Sequence, residues 1–242
     1  QFGTGAYTIE FWIKTTANAG WIMFNAANNT GFRICIGNNG STGGNNGKIE
    51  LNEQVSNNDD YTTSSSTIND GQWHHIAISR PSSGQVKIFV DGTHEGTGNN
   101  GRNCNSDDDC WIGRRYSGGG YALNGQLSNF RVTGAALYTS NFTPSTSPLT
   151  QTSNTKLLFC QSDTNPLTST VTPGTISYTG GTMTATADNP FSSAVSPYMR
   201  LDNRDAQTSS TWVKKTDEGF RIESGNQLNV AGGQKYIYYA IA

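Results

Sequence analysis

Residues 70–92 constrain the fold of this chain more than any other stretch. Asp70-Gly71 and Asp91-Gly92 bracket two segments, 73–80 and 86–90, in which apolar residues recur at every second position. A two-residue period is typical of a β-strand, and Asp-Gly is typical of turns that require a positive φ. The stretch therefore predicts a β-hairpin deep in an antiparallel sheet. The apolar residues that share a face within these strands are Ile76, Ile78, Val86, Ile88 and Val90.

The composition favours an all-β protein. Charged residues make up 14% of the 242 residues and Gly contributes 28, so Ser, Thr, Asn and Gly must cover most of the surface. Ten Phe, ten Tyr and five Trp are enough to fill a core, which excludes a disordered chain. Short strands separated by turn residues recur throughout, and no helical period is sustained. This pattern predicts a sandwich or jelly roll.

Charge and hydropathy exclude two classes of partner. The net charge is −2 and there is no basic block, so the electrostatic signature of nucleic-acid binding is missing. No stretch approaches the roughly 20 consecutive apolar residues that a membrane-spanning helix needs. We therefore expect that the chain neither binds nucleic acid nor contains a membrane-spanning helix.

The distribution of apolar residues predicts three parts. Residues 1–160 are expected to form the sandwich, residues 161–173 a polar linker, and residues 174–242 a small β-rich C-terminal domain. Within the first part, the polar residues 52–69 predict a loop with a weak edge strand. The strands expected in the last part include 175–178, 183–187, 219–222 and 235–241.

Four motifs follow one another in a fixed order: Tyr7–Ile13, Asp70–Ala77, Val86–Gly92 and Ile112-Gly113. In this order and spacing, the chain resembles the laminin-G-like branch of the concanavalin A-like lectin and glucanase folds. The resemblance covers roughly residues 1–160 and implies a jelly-roll sandwich.

A narrower resemblance concerns the end of the sandwich and the tail. Residues 127–132, 136–138, 141–144 and 156–160 resemble the close of laminin-G-like domains in structural proteins of marine tailed phages, especially phages of cyanobacteria. Residues 188–191, 198–202 and 219–222 resemble segments found beside such domains. The resemblance implies a virion surface protein, in a tail fibre, spike or head decoration. Its partners would be other virion proteins, further copies of the chain and host-surface glycan. The alternative is an extracellular or cell-surface adhesion or carbohydrate-binding module of bacterial origin.

Catalytic candidates are few, and we predict that the chain is not an enzyme. Glycoside cleavage requires two carboxylates about 5 to 10 Å apart. Glu10 has no acidic neighbour two or four positions away on its predicted strand. His74 and His75 lie within the hairpin motif, without an acidic or nucleophilic partner in a recognisable motif. These histidines are expected to pack in the sheet.

Two acidic loops are candidates for calcium, which prefers carboxylate and carbonyl oxygens. They contain Asp59 and Asp60, and the run Asp107, Asp108 and Asp109. Laminin-G-like domains often hold calcium at the sandwich rim, so the resemblance supports this role. The alternative is that both are solvated turns, and no cofactor is required for the fold.

A glycan site is expected on the loops that follow the hairpin. Trp111, Arg114, Tyr116 and Tyr121 combine aromatic rings with a hydrogen-bond donor around a Gly-rich loop. Aromatic residues in strands are usually part of the core, so Trp111 could instead be buried.

Four cysteines allow three disulfide pairings. Cys104 and Cys110 are the favoured pair, because they bracket a short loop that closes easily. Cys35 and Cys160 lie in apolar strands, where a free cysteine commonly acts as a small buried hydrophobe.

Overall fold

The computed structural model describes residues 3–27, 30–38, 40–55, 58–81, 85–98, 103, 109–115, 122–178, 183–191, 213–216 and 219–222. Contacts group the chain into two compact units, Gln1–Ser192 and Ser193–Ala242. The strands of the described residues are β1 (Tyr7–Thr15), β2 (Gly20–Ala27), β3 (Thr30–Ile36), β4 (Lys48–Val55), β5 (Asn58–Thr67), β6 (Trp73–Arg80), β7 (Lys87–Val90), β8 (Thr93–Thr97), β9 (Trp111–Ile112), β10 (Gly125–Thr133), β11 (Thr155–Phe159), β12 (Ser169–Val171), β13 (Val213–Thr216) and β14 (Gly219–Ile222). A helix long and apolar enough to span a membrane does not occur among these residues.

The first unit is an antiparallel β-sandwich, which confirms the all-β prediction. One sheet has seven strands in the order β12-β11-β10-β1-β6-β7-β8, and the other has five in the order β5-β4-β3-β2-β9. The core lies between the two sheets and contains apolar side chains from both. In the second unit, β13 and β14 form an antiparallel pair in which Val213 lies opposite Ile222.

The predicted hairpin is β6 and β7, with Ile76 opposite Val90 and Ile78 opposite Ile88. These four side chains are buried in the sandwich core. Strand β6 also pairs with β1, which places it in the interior of its sheet as predicted. The Asp91-Gly92 turn joins β7 to β8 with φ values of 50° and 79°, the positive values that a two-residue hairpin turn of this type needs.

A buried ion pair links the two sheets inside the sandwich. Arg80 is 0% exposed, and its Nη1 lies 3.2 Å from Glu53 Oε1. The Tyr7 hydroxyl donates to the same carboxylate oxygen at 3.2 Å. Arg80 Nη2 also donates to the carbonyl oxygen of Gly3 at 2.7 Å, so this cluster holds the N-terminal segment against the sandwich.

Strand β5 is longer than the sequence suggested. Residues 52–69 were expected to form mostly loop, but Asn58–Thr67 makes a ten-residue edge strand that pairs with β4. The stretch is rich in Thr and Ser, and alternate residues such as Thr62 and Ser64 are buried. The sequence signal was weak because these inward-facing residues are polar rather than apolar.

The chain beyond residue 160 also departs from prediction. Residues 161–173, the expected linker, include β12, which pairs with β11 at the edge of the seven-stranded sheet. Residues 175–178 and 183–187 are not strands, so those two predictions are wrong. Short alternating runs form strands only where a sheet edge is available for pairing. The predicted strand at 219–222 is confirmed as β14, whereas 235–241 lies outside the described residues.

Two segments cover the outer face of the seven-stranded sheet. In the segment 135–150, the backbone N–H of Leu137 donates to Thr8 Oγ1 at 2.8 Å. In the segment 187–191, Asp188 Oδ2 lies 2.7 Å from Lys14 Nζ, and the Phe191 ring meets Trp12 edge-on. These contacts bury much of this face and give it a structural role.

Candidate functional site

The first histidine of the hairpin motif is held between two carboxylates. His74 Nδ1 lies 2.7 Å from Asp91 Oδ2, and His74 Nε2 lies 3.0 Å from Asp70 Oδ1. The hydrogen bond to Asp91 raises the pKa of His74 to about 9, so the ring is protonated at neutral pH. Asp91 Oδ1 also accepts the backbone N–H of His75 at 2.8 Å. The motif thus joins the start of β6 to the β7–β8 turn.

His74 should make stability depend on pH. Its pKa is raised on folding, so its contribution is fully present below about pH 6.5, the ordinary histidine value, and is lost as pH rises through about 9. The measurement is urea unfolding of the wild type and His74→Gln between about pH 6 and pH 10. The difference in unfolding free energy should shrink with rising pH. His94→Gln is the control, because His94 Nε2 contacts Thr97 Oγ1 rather than a carboxylate. A difference independent of pH would contradict the role of the charged ring.

The second histidine belongs to a buried polar cluster on the outer face of the seven-stranded sheet. Glu10 is 0% exposed and accepts hydrogen bonds from Arg131 Nε at 2.9 Å, Arg131 Nη2 at 2.6 Å and the Tyr138 hydroxyl at 2.8 Å. His75 Nε2 lies 3.3 Å from the same carboxylate. Burial raises the pKa of Glu10, but the hydrogen bond of His75 and the charge of Arg131 outweigh it and lower the pKa. Solvent is excluded from this cluster, which suits a structural role better than substrate binding.

The outer face of the five-stranded sheet presents a different surface. Successive pairings place Trp111 opposite Phe24, Phe24 opposite Arg33, Arg33 opposite Asn52, and Asn52 opposite Tyr61. These five residues, one from each strand, form a line across the sheet that we call the outer row. At about 4.8 Å between neighbouring strands, the outer row is about 19 Å long. The surface is therefore long enough for an extended ligand.

A β-bulge completes the aromatic end of the outer row. The β2–β3 register shifts between Trp21 and Met23, so that Trp21 and Phe24 lie on the same face. Trp111 packs against these two rings, and the guanidinium of Arg115 lies 5.5 Å from the centre of the Phe24 ring. This end combines aromatic surface with a cationic edge.

Asp59 connects the polar half of the outer row. Its Oδ1 accepts from Asn52 Nδ2 at 3.2 Å and lies 3.8 Å from Arg33 Nη1. Burial and the nearby charge of Asp59 raise the pKa of Tyr61. Tyr61 is 45% exposed, so its ring is available to a ligand. The far end of the outer row therefore offers an exposed aromatic ring beside fixed polar groups.

The structure places two of the four predicted glycan-site residues. Trp111 is half-buried in β9 and is part of the outer row. Arg114 follows β9 and is half-buried. Tyr116 and Tyr121 lie outside the described residues. Phe24, Arg33, Asn52 and Tyr61 were not predicted as site residues, since only their strand register brings them into line with Trp111.

The calcium prediction is untested. Asp59 is engaged with Arg33 and Asn52, and Asp109 is exposed, whereas Asp107 and Asp108 lie outside the described residues. Asp60, the cross-strand neighbour of Glu53, is half-buried. Within the part of the chain that the structure describes, there is no cluster of three or more His, Cys, Asp or Glu side chains that could hold a metal ion.

The cysteine environments differ. Cys110 is exposed, while Cys104 lies outside the described residues, so their pairing stays a prediction. Cys35 is fully buried beside Trp21, and burial raises the pKa of its thiol. Cys160 is half-buried against the core, where burial raises its pKa to about 12. Both thiols are thus protonated and pack as predicted.

The model of the laminin-G-like family described as the concanavalin A-like lectin/glucanases superfamily matches residues 1–141. The chain therefore belongs to this superfamily. A comparison with curated proteins finds no match.

Solved structures of low sequence identity show partial likeness. The native heptameric SAP-like pentraxin from Limulus polyphemus is 23% identical, with a TM-score of 0.42 over 55% of this chain and 67% of that chain. Domains LG4-5 of the mouse laminin α1 chain are 14% identical, with a TM-score of 0.44 over 61% of this chain and 44% of that chain. A botulinum neurotoxin type C, whose cell entry depends on interaction with two ganglioside molecules, is 15% identical, with a TM-score of 0.41 over 55% of this chain and 33% of that chain. The chain thus spans less than half of the laminin and neurotoxin chains.

Proposed function

We propose that this protein is a non-enzymatic, lectin-like module that binds glycan on the outer face of the five-stranded sheet. The outer row carries the proposal, because it aligns aromatic rings with hydrogen-bonding side chains over the width of the sheet. Sugar rings present apolar faces that stack on aromatic side chains and hydroxyl groups that pair with polar ones. Membership of a lectin and glucanase superfamily is consistent with such a ligand.

The absence of catalysis is part of the proposal. Glu10 has its carboxylate occupied by Arg131, Tyr138 and His75 within a solvent-excluded cluster. Asp59 is held by Arg33 and Asn52. Groups held in this way are suited to fixing geometry rather than to transferring protons to a sugar. Release of reducing sugar from a polysaccharide by the purified protein would overturn this part.

Tyr61 provides the direct test of glycan binding. Tyr61→Ala should weaken binding about tenfold or more, since it removes the exposed ring at one end of the outer row. Tyr178→Ala is a matched control, because Tyr178 is also 45% exposed but lies outside both sheets. The measurement is a glycan array followed by titration calorimetry with the glycans that bind. Failure of the wild type to bind any glycan, with or without calcium, would refute the proposed function.

For the biological setting, we propose display of this module on a virion surface, together with other virion proteins. The resemblance of residues 127–132, 136–138, 141–144 and 156–160 to phage structural proteins supports this setting. Mass spectrometry of purified particles, followed by immunogold labelling, tests it. Detection only on bacterial cell surfaces or in culture medium would favour the bacterial adhesion module instead.

A further inference from the structure

We propose that the outer row selects an uncharged sugar, with one hydroxyl group bound between Arg33 and Asn52. This inference rests on the proposed glycan binding and adds the class of ligand. Its basis is a pair of buried polar atoms in the middle of the outer row, one a donor and the other an acceptor.

The acceptor belongs to Asn52, which is 1% exposed. Asn52 Nδ2 donates to Asp59 Oδ1 at 3.2 Å. Because an ionised carboxylate only accepts hydrogen bonds, this contact fixes which end of the amide is the nitrogen. Asn52 Oδ1 then has no partner among the described residues, although it is buried. A buried acceptor without a hydrogen-bond partner destabilises the free protein, so it favours a ligand that donates a hydrogen bond to it.

The donor belongs to Arg33, the direct cross-strand neighbour of Asn52. Its Nη2 donates to Gln54 Oε1, and its Nη1 faces Asp59. The side chain is 11% exposed, and Nε is buried without a partner in the described part of the chain. The two neighbours therefore offer one unused donor and one unused acceptor. A hydroxyl group can donate and accept at once, so a single sugar hydroxyl can serve both.

The charges around this position favour an uncharged ligand. Asp59 contacts both Arg33 and Asn52, so a carboxylate or sulfate group bound between them would be repelled by the Asp59 carboxylate. The same carboxylate already balances the charge of Arg33. Arg115 also lies against the Phe24 ring and its charge acts on Arg33, but Glu50, the cross-strand neighbour of Cys35, adds a second carboxylate to this face and balances it. A neutral pyranose fits this arrangement better than a uronate or a sulfated sugar.

Access requires a side-chain movement. Both orphan atoms are closed to solvent, and Tyr61 is the cross-strand neighbour of Asn52. The Tyr61 ring is 45% exposed, so it can change rotamer without leaving a buried position. A change of Tyr61 rotamer would thus open Asn52 and Arg33, and the displaced ring could stack on the incoming sugar.

The test compares ligands and variants. Titration calorimetry uses neutral hexasaccharides of glucose and mannose, and uronate or sulfated hexasaccharides, together with any glycan that binds on the array. Neutral ligands should bind more tightly, and Arg33→Lys, which keeps the charge but lacks Nε, should weaken their binding about tenfold, the equivalent of one hydrogen bond. The NMR resonance of Arg33 Nε–H should shift on addition of the neutral ligand.

Each contrary outcome has a distinct meaning. Preference for the charged sugars would overturn the inference while leaving glycan binding intact. The inference would also be overturned if Arg33→Lys bound with wild-type affinity and the Arg33 Nε–H resonance of the wild type did not shift with the neutral ligand. Weakening of binding by Arg114→Lys but not by Arg33→Lys would overturn it as well. A water molecule that bridges Arg33 Nε and Asn52 Oδ1 in both free and glycan-bound crystals would show a structural water only. If no glycan binds at all, the proposed function itself fails.

Discussion

Replacing Glu10 by Gln is expected to lower the free energy of unfolding by about 3 kcal/mol, because removal of one partner leaves the buried charge of Arg131 uncompensated. Glu10 is fully buried and receives two hydrogen bonds from Arg131 and one from Tyr138. The amide of Gln keeps the size of the side chain, so the loss reports charge and hydrogen bonding rather than a cavity. Urea unfolding followed by tryptophan fluorescence provides the measurement.

The difference in unfolding free energy between the wild type and Glu10→Gln should also depend on pH. Because the pKa of Glu10 is lowered in the folded protein, the contribution of the Glu10 carboxylate to stability is present above about pH 4.3, the ordinary glutamate value, and is lost as pH falls further. Glu95→Gln is the control: Glu95 accepts hydrogen bonds from Ser66 at an exposed site, and its replacement should cost less than about 1 kcal/mol. Equal losses in the two variants would show that burial of the ion pair is unimportant.

Gly92→Ala is expected to destabilise the protein by about 3 kcal/mol or more, because it combines backbone strain with a steric clash. Gly92 has a φ of +79°, and a Cβ atom there would lie 1.9 Å from the carbonyl oxygen of Phe142. The backbone N–H of Phe142 also donates to the Gly92 carbonyl at 2.9 Å. The substitution would therefore separate the covering segment 135–150 from the β7–β8 turn.

Gly113 offers a matched control for backbone strain. It has the same φ of +79°, but a Cβ atom there would meet no other atom within 4 Å. Gly113→Ala should therefore cost only the strain of a left-handed residue, about 1 to 2 kcal/mol. Thermal or urea unfolding of both variants separates the two effects. Equal losses would mean that the contact of Gly92 with Phe142 adds nothing to stability.

These two predictions and the glycan proposal concern opposite faces of the same sandwich. The outer face of the seven-stranded sheet is covered by the segments 135–150 and 187–191. Glu10, Arg131 and Tyr138 on this face are joined by hydrogen bonds, whereas Trp12 Nε1 and His75 Nδ1 are buried beneath the covering segments without a partner in the described part of the chain. The outer row on the five-stranded sheet keeps an exposed ring and two unused polar atoms. Substitutions at Glu10 should therefore change stability, whereas substitutions at Tyr61 should change binding with little effect on stability.

Local sequence patterns were sufficient for the hairpin and the fold. The alternation in 73–80 and 86–90 and the two Asp-Gly pairs predicted β6, β7 and the turn after β7, because strand period and positive φ are properties of a few adjacent residues. The same reasoning underestimated β5, whose inward-facing residues are polar. It also predicted strands at 175–178 and 183–187, where no sheet partner is available.

The polar cluster and the outer row could not be predicted in this way. Glu10 meets its partners across sequence separations of 65, 121 and 128 residues, so the stretch around it gives no sign of them. The outer row depends on the register of four strand pairings and on the bulge after Trp21, and a shift of one residue would turn each side chain to the other face. The sequence alone thus determined the hairpin of residues 73–90 and the alternation that builds the core. Only the tertiary structure decided that Trp111, Phe24, Arg33, Asn52 and Tyr61 share one surface, because side chains from separate strands are aligned by long-range hydrogen bonding.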